Sequence, residues 1–397
     1  MTNWNQFKGD PRHSGRRRDF EGPNRVQEAW TVDLDGDAGS PVYDRDTVYV
    51  LTNRACHALE RARGRERWTV EIDAAAESTP VVTRDTLYLT SADDTVRALE
   101  TTTGDQRWAA TLPGTLESSL ALADGLLFVG HEAGVSALEA DTGEVVWTHE
   151  TDAAVVGTPA VDRVRDRAHG DEWGSDTPEP DELDLLSLED ARMDEETTQT
   201  ADRDRVCVAT ADEQVLALEA DTGEPCWDAP TNGTVVDGPT ITGDRVYVAD
   251  DSGTLVALHA DSGQSWFTYK IQQSFASSPT VLPERDTTFV GATDGYVHVT
   301  DTTFGRRKLR GWLFAKKGVA LDGTISASPA VAGEICCVGD STGSFYGIDL
   351  TDDCNPCWHV GLDGPITAPP ALGTDHLFVV GGDRLYRLEW DIDEPSV

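Results

Sequence analysis

ALEADTGEVVW, at residues 137–147, recurs almost unchanged as ALEADTGEPCW at residues 217–227. Looser copies stand at residues 58–68 (ALERARGRERW), 98–108 (ALETTTGDQRW) and 257–267 (ALHADSGQSWF). Each copy joins an apolar run to a turn with a glycine and then to an aromatic residue. A unit of about 40 residues that supplies four short strands is the sequence pattern of a β-propeller. The repeat therefore predicts an all-β ring of four-stranded blades.

A second marker, usually a small residue followed by proline and an aliphatic residue, precedes the first strand of each unit. The marker position is occupied by Pro41, Pro80, Leu120, Pro159, Pro239, Pro279, Pro329 and Pro370. Eight markers predict eight blades. Two intervals are long, and we explain them by an acidic insertion at residues 162–204, in the A–B loop of blade 4, and a basic hairpin at residues 301–318 in blade 6. We expect residues 162–204 to be disordered.

The eighth unit ends after its third strand, near residues 385–390. Residues 28–32 can supply the missing fourth strand, because Trp30 precedes the first marker as the other aromatic residues precede theirs. A ring closed in this way has no free edge. We therefore predict an eight-bladed propeller over residues 27–397. It follows a lead-in arm at residues 1–26, whose arginines, Arg12, Arg16, Arg17 and Arg18, are expected to be flexible.

The chain has 71 acidic and 32 basic residues and a formal net charge of −39. Such a charge would repel itself in dilute buffer, whereas molar salt shortens the screening length to about 3 Å. The composition, rich in Asp and poor in Lys, indicates the cytoplasm of a halophilic archaeon. An acidic protein from an ordinary cell is the alternative. A nucleic-acid partner is disfavoured over most of this surface.

The sequence also bears on location. No stretch is apolar over the length that a membrane span requires. Arg17 and Arg18 are followed by polar residues rather than by the apolar segment of an export signal. We expect a cytoplasmic monomer.

The pattern Ala-x-(Asp/Glu)-x-x-Thr-Gly-x-x-x-Trp resembles the tryptophan-docking motif of pyrroloquinoline-quinone (PQQ)-like repeats, and residues 4–10 and 13–15 resemble the segment that precedes them. The resemblance implies that each aromatic residue packs against the neighbouring blade. The residues at this position are Trp30, Trp68, Trp108, Trp147, Trp227, Phe267 and Trp358.

The resemblance implies a fold and leaves the activity open. The family includes calcium-dependent quinoprotein alcohol dehydrogenases, a scaffold that helps assemble outer-membrane barrels, and sensor domains. The dehydrogenases carry an adjacent-cysteine disulfide, which suggests comparison with Cys336 and Cys337. Those residues align with an ordinary strand B, so we expect them to be buried free thiols. We expect no cofactor, with PQQ and calcium as the alternative, and we identify no catalytic residue.

An unusual turn stands in blade 7, where Cys354-Asn355-Pro356-Cys357 replaces the Asp-Thr-Gly turn, close to His359. Two cysteines at this spacing can form a disulfide or bind a metal ion together with further ligands. A structural turn is the third alternative.

The extra residues of blade 6 concentrate positive charge on an acidic chain. The candidate partner-binding residues are Arg306, Arg307, Lys308, Arg310, Trp312, Lys316 and Lys317. Basic and aromatic side chains together can bind an acidic protein, a phosphate or a nucleic-acid strand. The alternative is that they pair with nearby carboxylates or with the insertion of blade 4.

Three carboxylates precede their markers by a few residues: Glu77, Glu117 and Asp237. Because strand A lines the axis of a propeller, they could surround the channel mouth and hold a cation. The alternative is that they are solvated loop residues.

From these observations we predict a non-enzymatic scaffold that binds another protein through blade 6. The alternatives are a quinoprotein oxidoreductase and a small-molecule sensor.

Overall fold

A computed structural model describes residues 4–18, 20, 22–72, 78–116, 118–163, 203–309 and 316–390. Eight sheets, each containing the four antiparallel strands A to D, form the eight blades of a propeller. In blade 7 a fifth strand, Arg16–Arg17, pairs parallel with strand A. The predicted fold class is confirmed. Among the described residues, no helix is long and apolar enough to cross a membrane.

Strands B and C are almost wholly buried in the first four blades, whereas strand D alternates between exposed and buried residues. Blade 1 contains Val42–Tyr43, Thr47–Leu51, Ala55–Glu60 and Glu66–Glu71. Blade 2 contains Val81–Val82, Thr86–Ser91, Thr95–Glu100 and Gln106–Thr111. Blade 3 contains Leu120–Ala123, Leu126–His131, Gly134–Glu139 and Val145–Glu150. Blade 4 contains Val155–Asp162, Arg205–Thr210, Gln214–Glu219 and Pro225–Pro230. Residues 164–202 of the predicted acidic insertion lie outside the described residues.

The other four blades have the same order of strands. Blade 5 contains Thr240–Thr242, Arg245–Ala249, Thr254–His259 and Ser265–Lys270. Blade 6 contains Thr280–Leu282, Thr287–Gly291, Tyr296–Thr300 and Gly318–Ala320. Blade 7 contains Ala330–Ala332, Ile335–Gly339, Ser344–Asp349 and Asn355–Gly361. Blade 8 contains Ala371–Leu372, His376–Gly381, Arg384–Glu389 and, from the start of the chain, Gln27–Asp33. Short 3₁₀ turns occupy Phe7–Gly9 and Pro283–Arg285.

The two ends of the chain meet in blade 8. Gln27–Asp33 pairs antiparallel with Arg384–Glu389, and Trp30 lies opposite Arg387. This pairing confirms the predicted closure of the ring, which removes the exposed edge that an open ring would leave.

The first residues of the chain are not the flexible arm that we expected. Backbone amides of strand A in six blades donate to this segment: Tyr43 to Trp4, Val82 to Asn5, Leu122 to Gln6, Val161 to Pro11, Ile241 to Arg12 and Val331 to Gly15. Arg16 and Arg17 reach carbonyl oxygens of the remaining two blades, those of Val281 and Leu372. Because strand A is the innermost strand of every blade, the segment lies near the axis and contacts the blades around it. It is ordered because it satisfies amides that strand A would otherwise leave unpaired.

Strand D of blade 6 differs from the other outer strands. Residues 306–308 lie beside the C-terminal end of strand C, where Thr300 pairs with Arg307 and the amide of Lys308 donates to the carbonyl oxygen of Val299. Gly318–Ala320 then pairs with residues 296–298, at the N-terminal end of the same strand. A Cβ at Gly318 would stand 1.9 Å from the carbonyl oxygen of Val297, so this close approach requires glycine. The extra residues of blade 6 are therefore inserted within strand D. Of the predicted hairpin at 301–318, residues 310–315 lie outside the described residues.

Candidate functional site

Five tryptophans of the repeat contact the next blade through both a ring face and a hydrogen bond. The indole of Trp147 lies against Gly223, where an added Cβ would stand 2.5 Å from Cε3, and Nε1 donates to the carbonyl oxygen of Ala220 at 2.8 Å. The same two contacts join Trp30, Trp68, Trp108 and Trp227 to their neighbouring blades. The motif glycine has a positive φ and no room for a side chain, so ring and glycine form one structural unit.

Blades 6 and 7 depart from this arrangement together. Phe267 of blade 5 still packs on a glycine, Gly305, but the equivalent position of blade 6 is Leu309. Opposite it, Cys354 occupies the glycine position of blade 7 with a φ of 55°. The smaller Leu309 leaves space for the Cβ of Cys354, which packs against the same apolar cluster.

An aromatic and basic surface lies where blades 5 and 6 meet. Trp266 and Phe304 are 43% and 61% exposed, although both are large and apolar. The guanidinium of Arg245 lies 4.3 Å from the Trp266 ring centroid, and that of Arg306 lies 4.7 Å from the Phe304 centroid. We call Trp266, Phe304, Arg306, Arg307, Lys308, Lys316 and Lys317 the basic–aromatic surface. Its other predicted members, Arg310 and Trp312, lie outside the described residues.

A chain of polar contacts beneath this surface connects the two parts of strand D. Arg307 Nε donates to the hydroxyl of Tyr269 at 3.3 Å, and that hydroxyl lies 2.9 Å from Nδ1 of His298. His298 Nε2 lies 3.1 Å from Asp294, whose other oxygen is 3.5 Å from Nζ of Lys317. Burial lowers the pKa of His298, an effect that the Asp294 carboxylate opposes. A neutral His298 that donates to Asp294 and accepts from Tyr269 satisfies every hydrogen bond in this series of polar contacts.

Several cations of the surface are partly engaged by their own blade. Lys308 Nζ donates to the carbonyl oxygen of Asp286 at 2.7 Å and also contacts that of Arg285. Lys317 contacts Asp294 and lies 5.3 Å from the Tyr296 ring centroid. Arg306 and Lys316 are exposed. Local pairing with carboxylates, the predicted alternative, therefore applies to Lys317. Arg306 instead lies beside the ring of Phe304.

The inserted residues also border a groove between blades 6 and 7. The groove has a volume of about 440 Å³. Its lining includes Leu309, Val319, Cys354 and Pro356, which are apolar or weakly polar, and the two lysines Lys316 and Lys317. The structure thus brings the cysteine turn and the basic segment, which are separate in sequence, to one place.

The cysteines of blade 7 have separate environments. Cys336 and Cys337 lie in an extended strand, and because neighbouring side chains of a strand face opposite ways, they enter two different apolar clusters. All seven cysteines are free thiols. Cys354 packs in the cluster of Cys336, whereas Cys357 is exposed and lies 3.3 Å from the carbonyl oxygen of Gly347. His359 stacks on Tyr346 with 4.8 Å between ring centroids. These separate contacts favour the structural-turn alternative.

A buried lysine that the sequence reasoning missed lies near the axis. Lys8 is fully buried, and its Nζ donates to Thr240 Oγ1 at 3.3 Å, to Ser278 Oγ at 3.1 Å and to the carbonyl oxygen of Pro279 at 2.6 Å. Burial lowers the pKa of Lys8 to about 7, against the attraction of Asp237 and Asp10.

Asp237, predicted to stand at the channel mouth, accepts from Ser328 Oγ at 2.8 Å and from the amide of Ser278 at 3.3 Å. Against the larger effect of burial, the negative charge of Asp237 raises the pKa of Lys8. Glu77 and Glu117 lie outside the described residues.

Two observations bear on the alternative of a quinone and calcium site. Cys336 and Cys337 cannot cap a ring on the axis, since strand B carries them into the interfaces on either side of blade 7. Within the described ranges, no three His, Cys, Asp or Glu side chains form a group that could hold a metal ion.

Trp266, Phe304, Tyr269 and His298 were also missed by the sequence reasoning. Two signals could have indicated them. Trp266 adds a second aromatic residue next to the docking Phe267, and Phe304 stands in a turn where the other blades have small or polar residues.

The fold and these contacts define a class of protein, an eight-bladed propeller built from PQQ-like repeats. Within that class, the chain belongs to the family described as outer membrane protein assembly factor BamB, whose model matches residues 23–168 and again residues 166–354. No curated protein matches the chain.

Solved structures with this fold come from proteins of different kinds. BamB from Moraxella catarrhalis is similar with a TM-score of 0.65 and 16% identity, over 92% of this chain and 100% of that one. Quinohemoprotein alcohol dehydrogenase from Comamonas testosteroni has a TM-score of 0.70 and 12% identity, over 100% of this chain and 82% of that one. The computationally designed protein Ika8 has a TM-score of 0.67 and 14% identity, over 92% of this chain and 100% of that one. At these identities the likeness shows the fold alone.

Proposed function

We propose that this protein is a non-enzymatic interaction scaffold that binds another protein through the basic–aromatic surface. The observation that carries the proposal is the exposure of Trp266 and Phe304 next to Arg306 on a chain with a net charge of −39. Aromatic and arginine side chains are the residues that contribute most to protein interfaces. Exposing both rings to water has a free-energy cost that a partner would remove by covering them.

The polar chain from Arg307 to Lys317 supports the same proposal. It ties the residues on both sides of the insertion to blades 5 and 6 through Tyr269 and His298. A surface held in this way loses less conformational entropy when a partner binds. The acidic composition supports a halophilic, cytoplasmic setting, in which molar salt screens the net charge but leaves direct contacts between charged groups in place.

The test is purification of the tagged chain at native salt from a halophilic archaeal host, followed by mass spectrometry. We expect a stoichiometric protein partner that is lost with Phe304→Ala and with Arg306→Glu. The matched control is Arg84→Glu, which makes the same charge change at an arginine of blade 2 whose side chain is 89% exposed. Capture that is unchanged in the first two variants would contradict the assignment. A chain that purifies alone would favour the sensor or quinoprotein alternatives.

A further inference from the structure

The groove between blades 6 and 7 combines apolar surface with positive charge. This composition suits a peptide that carries an apolar side chain next to acidic residues. Leu309, Val319 and Pro356 contribute apolar surface, and Lys316 and Lys317 stand beside them. The volume of about 440 Å³ is large enough for one or two side chains of a partner.

Comparable grooves elsewhere on the ring have the opposite charge. The groove against blades 3 and 4, of about 580 Å³, is lined by Glu150, Asp152, Asp212 and Asp228. The groove against blades 1 and 2, of about 600 Å³, contains Glu71, Asp93 and Asp105, and its one arginine, Arg97, is paired with Asp93. Of these three grooves in the described part of the ring, the one beside blade 6 is distinguished by its lysines.

The lysines of the groove are positioned by the interrupted strand. The amide of Lys316 donates to the carbonyl oxygen of Leu309 at 2.9 Å, which brings the two ends of the insertion together. Lys317 is held by Asp294 and by the ring of Tyr296, while the side chain of Lys316 is exposed. The groove therefore presents one restrained and one accessible ammonium group next to apolar surface.

We propose that this groove binds an acidic segment of a partner protein, with an apolar side chain of that segment inserted between Leu309 and Pro356 and its carboxylates beside Lys316 and Lys317. The inference rests on the proposed function, because Lys316 and Lys317 belong both to the groove and to the basic–aromatic surface.

Charge complementarity selects a peptide rather than a nucleic acid. Asp353 lines the groove, and the chain around it has a net charge of −39. A nucleic-acid strand carries a phosphate at every nucleotide, so it would meet these carboxylates as soon as it left the two lysines. A peptide can instead place its few carboxylates at the lysines. In molar salt the burial of the peptide's apolar side chain supplies most of the affinity, because salt screens interactions between charges but does not screen the burial of apolar surface.

The experiment measures fluorescence anisotropy of labelled probes with the full chain at about 0.1 M and about 2 M KCl. The probe is a peptide of about ten residues that has two leucines at its centre, a few Asp and Glu residues next to them, and serine and glycine elsewhere. The comparison probes are the same peptide with serines in place of the leucines, a lysine-rich peptide with the leucines, and an oligodeoxythymidine of equal length. We expect only the acidic peptide with leucines to remain bound at the higher salt.

Two variants test the site. Lys316→Glu should weaken binding of the acidic peptide about tenfold at low salt, since an exposed ion pair contributes a factor of about two to five and its reversal adds repulsion of similar size. Ala320→Trp should fill the groove with an indole and weaken binding at both salt concentrations. The matched control is Lys270→Glu, which makes the same charge change at an exposed lysine of blade 5, outside the groove.

Three outcomes would overturn the inference: equal weakening by Lys270→Glu and Lys316→Glu, tighter binding of the oligonucleotide, or equal binding of the leucine and serine peptides. Self-association that disappears with Lys316→Glu would instead assign the groove to a second copy of this chain. The proposed function can be tested separately from the groove. A cellular partner that is lost with Phe304→Ala but retained with Lys316→Glu and Ala320→Trp would leave the scaffold standing and remove the groove from it.

Discussion

Replacing the motif glycine of blade 3 tests whether the contact between ring and glycine stabilises the blade interfaces. In Gly143→Ala the new Cβ would stand 2.5 Å from Cε3 of Trp108, at a φ of 76°. The left-handed backbone costs an alanine about 1–2 kcal/mol, and overpacking against the indole adds about 1–3 kcal/mol. We expect a total loss of roughly 2–5 kcal/mol in the free energy of unfolding.

Two glycines supply matched controls because they share the backbone conformation without the ring. Gly125 and Gly243 have φ values of 86° and 57°, and an added Cβ meets no atom within 4 Å at either position. Gly125→Ala and Gly243→Ala should therefore lose only the backbone contribution, about 1–2 kcal/mol. Scanning calorimetry at constant salt measures the difference, which for a cooperative chain of this length amounts to about 1 °C in Tm per kcal/mol.

A double-mutant cycle separates the ring contact from the backbone cost. In a chain that carries Trp108→Leu, Gly143→Ala should reduce the free energy of unfolding no more than the control substitutions do. Blades 6 and 7 already combine a leucine at the docking position, Leu309, with a residue other than glycine, Cys354, at the glycine position. We expect a coupling of about 1–3 kcal/mol between the two positions. Equal losses in Gly143→Ala and both controls, or no coupling in the cycle, would refute the role that we assign to the contact.

Four further predictions follow from the axis, the thiols and the cofactor question. Burial lowers the pKa of Lys8 from 10.5 to about 7, so between those pH values the unfolded chain binds the proton more readily than the folded chain. The contribution of Lys8 therefore favours folding increasingly as pH rises from about 7 to 10.5. Lys8→Met should remove this part of the pH dependence of Tm, and identical slopes of Tm against pH in the two proteins would contradict the burial of its charge. Deletion of residues 1–17 should lower Tm by several degrees, because Trp4, Phe7 and the contacts with strand A are lost together, and an unchanged calorimetric profile would show that the segment adds no stability. Thiol labelling of the folded protein near pH 8 should modify the exposed Cys357 first and leave Cys56, Cys336 and Cys337 unmodified, since burial raises their pKa; uniform labelling would disprove this order. Incubation with PQQ and calcium should give neither a shift in Tm nor dye-linked alcohol oxidation, and stoichiometric uptake with turnover would revive the oxidoreductase alternative.

The fold could be predicted because its signals are local and repeated. A glycine turn, a docking aromatic residue and the marker before strand A recur in nearly every unit, and each is a short-range consequence of strand geometry. Even the closure of the ring could be inferred, since Trp30 keeps its spacing to the first marker. The position of the N-terminal segment could not, because its sequence has no strand pattern and its order depends on amides of six blades and carbonyl oxygens of the other two.

The candidate site shows the same division. Its basic residues are adjacent in sequence, so their concentration in blade 6 was evident from the composition of one segment. The sequence alone determined the eightfold repeat, the four strands of each blade, the aromatic positions and the surplus of acidic residues, because these follow from periodicity and from counting. Only the tertiary structure decided that Trp266 is exposed beside Phe304, that Tyr269 and His298 connect the two parts of strand D, and that Cys354 shares a groove with Lys316. Those relations join residues from different blades, and the distances between them are set by how the blades pack around the axis.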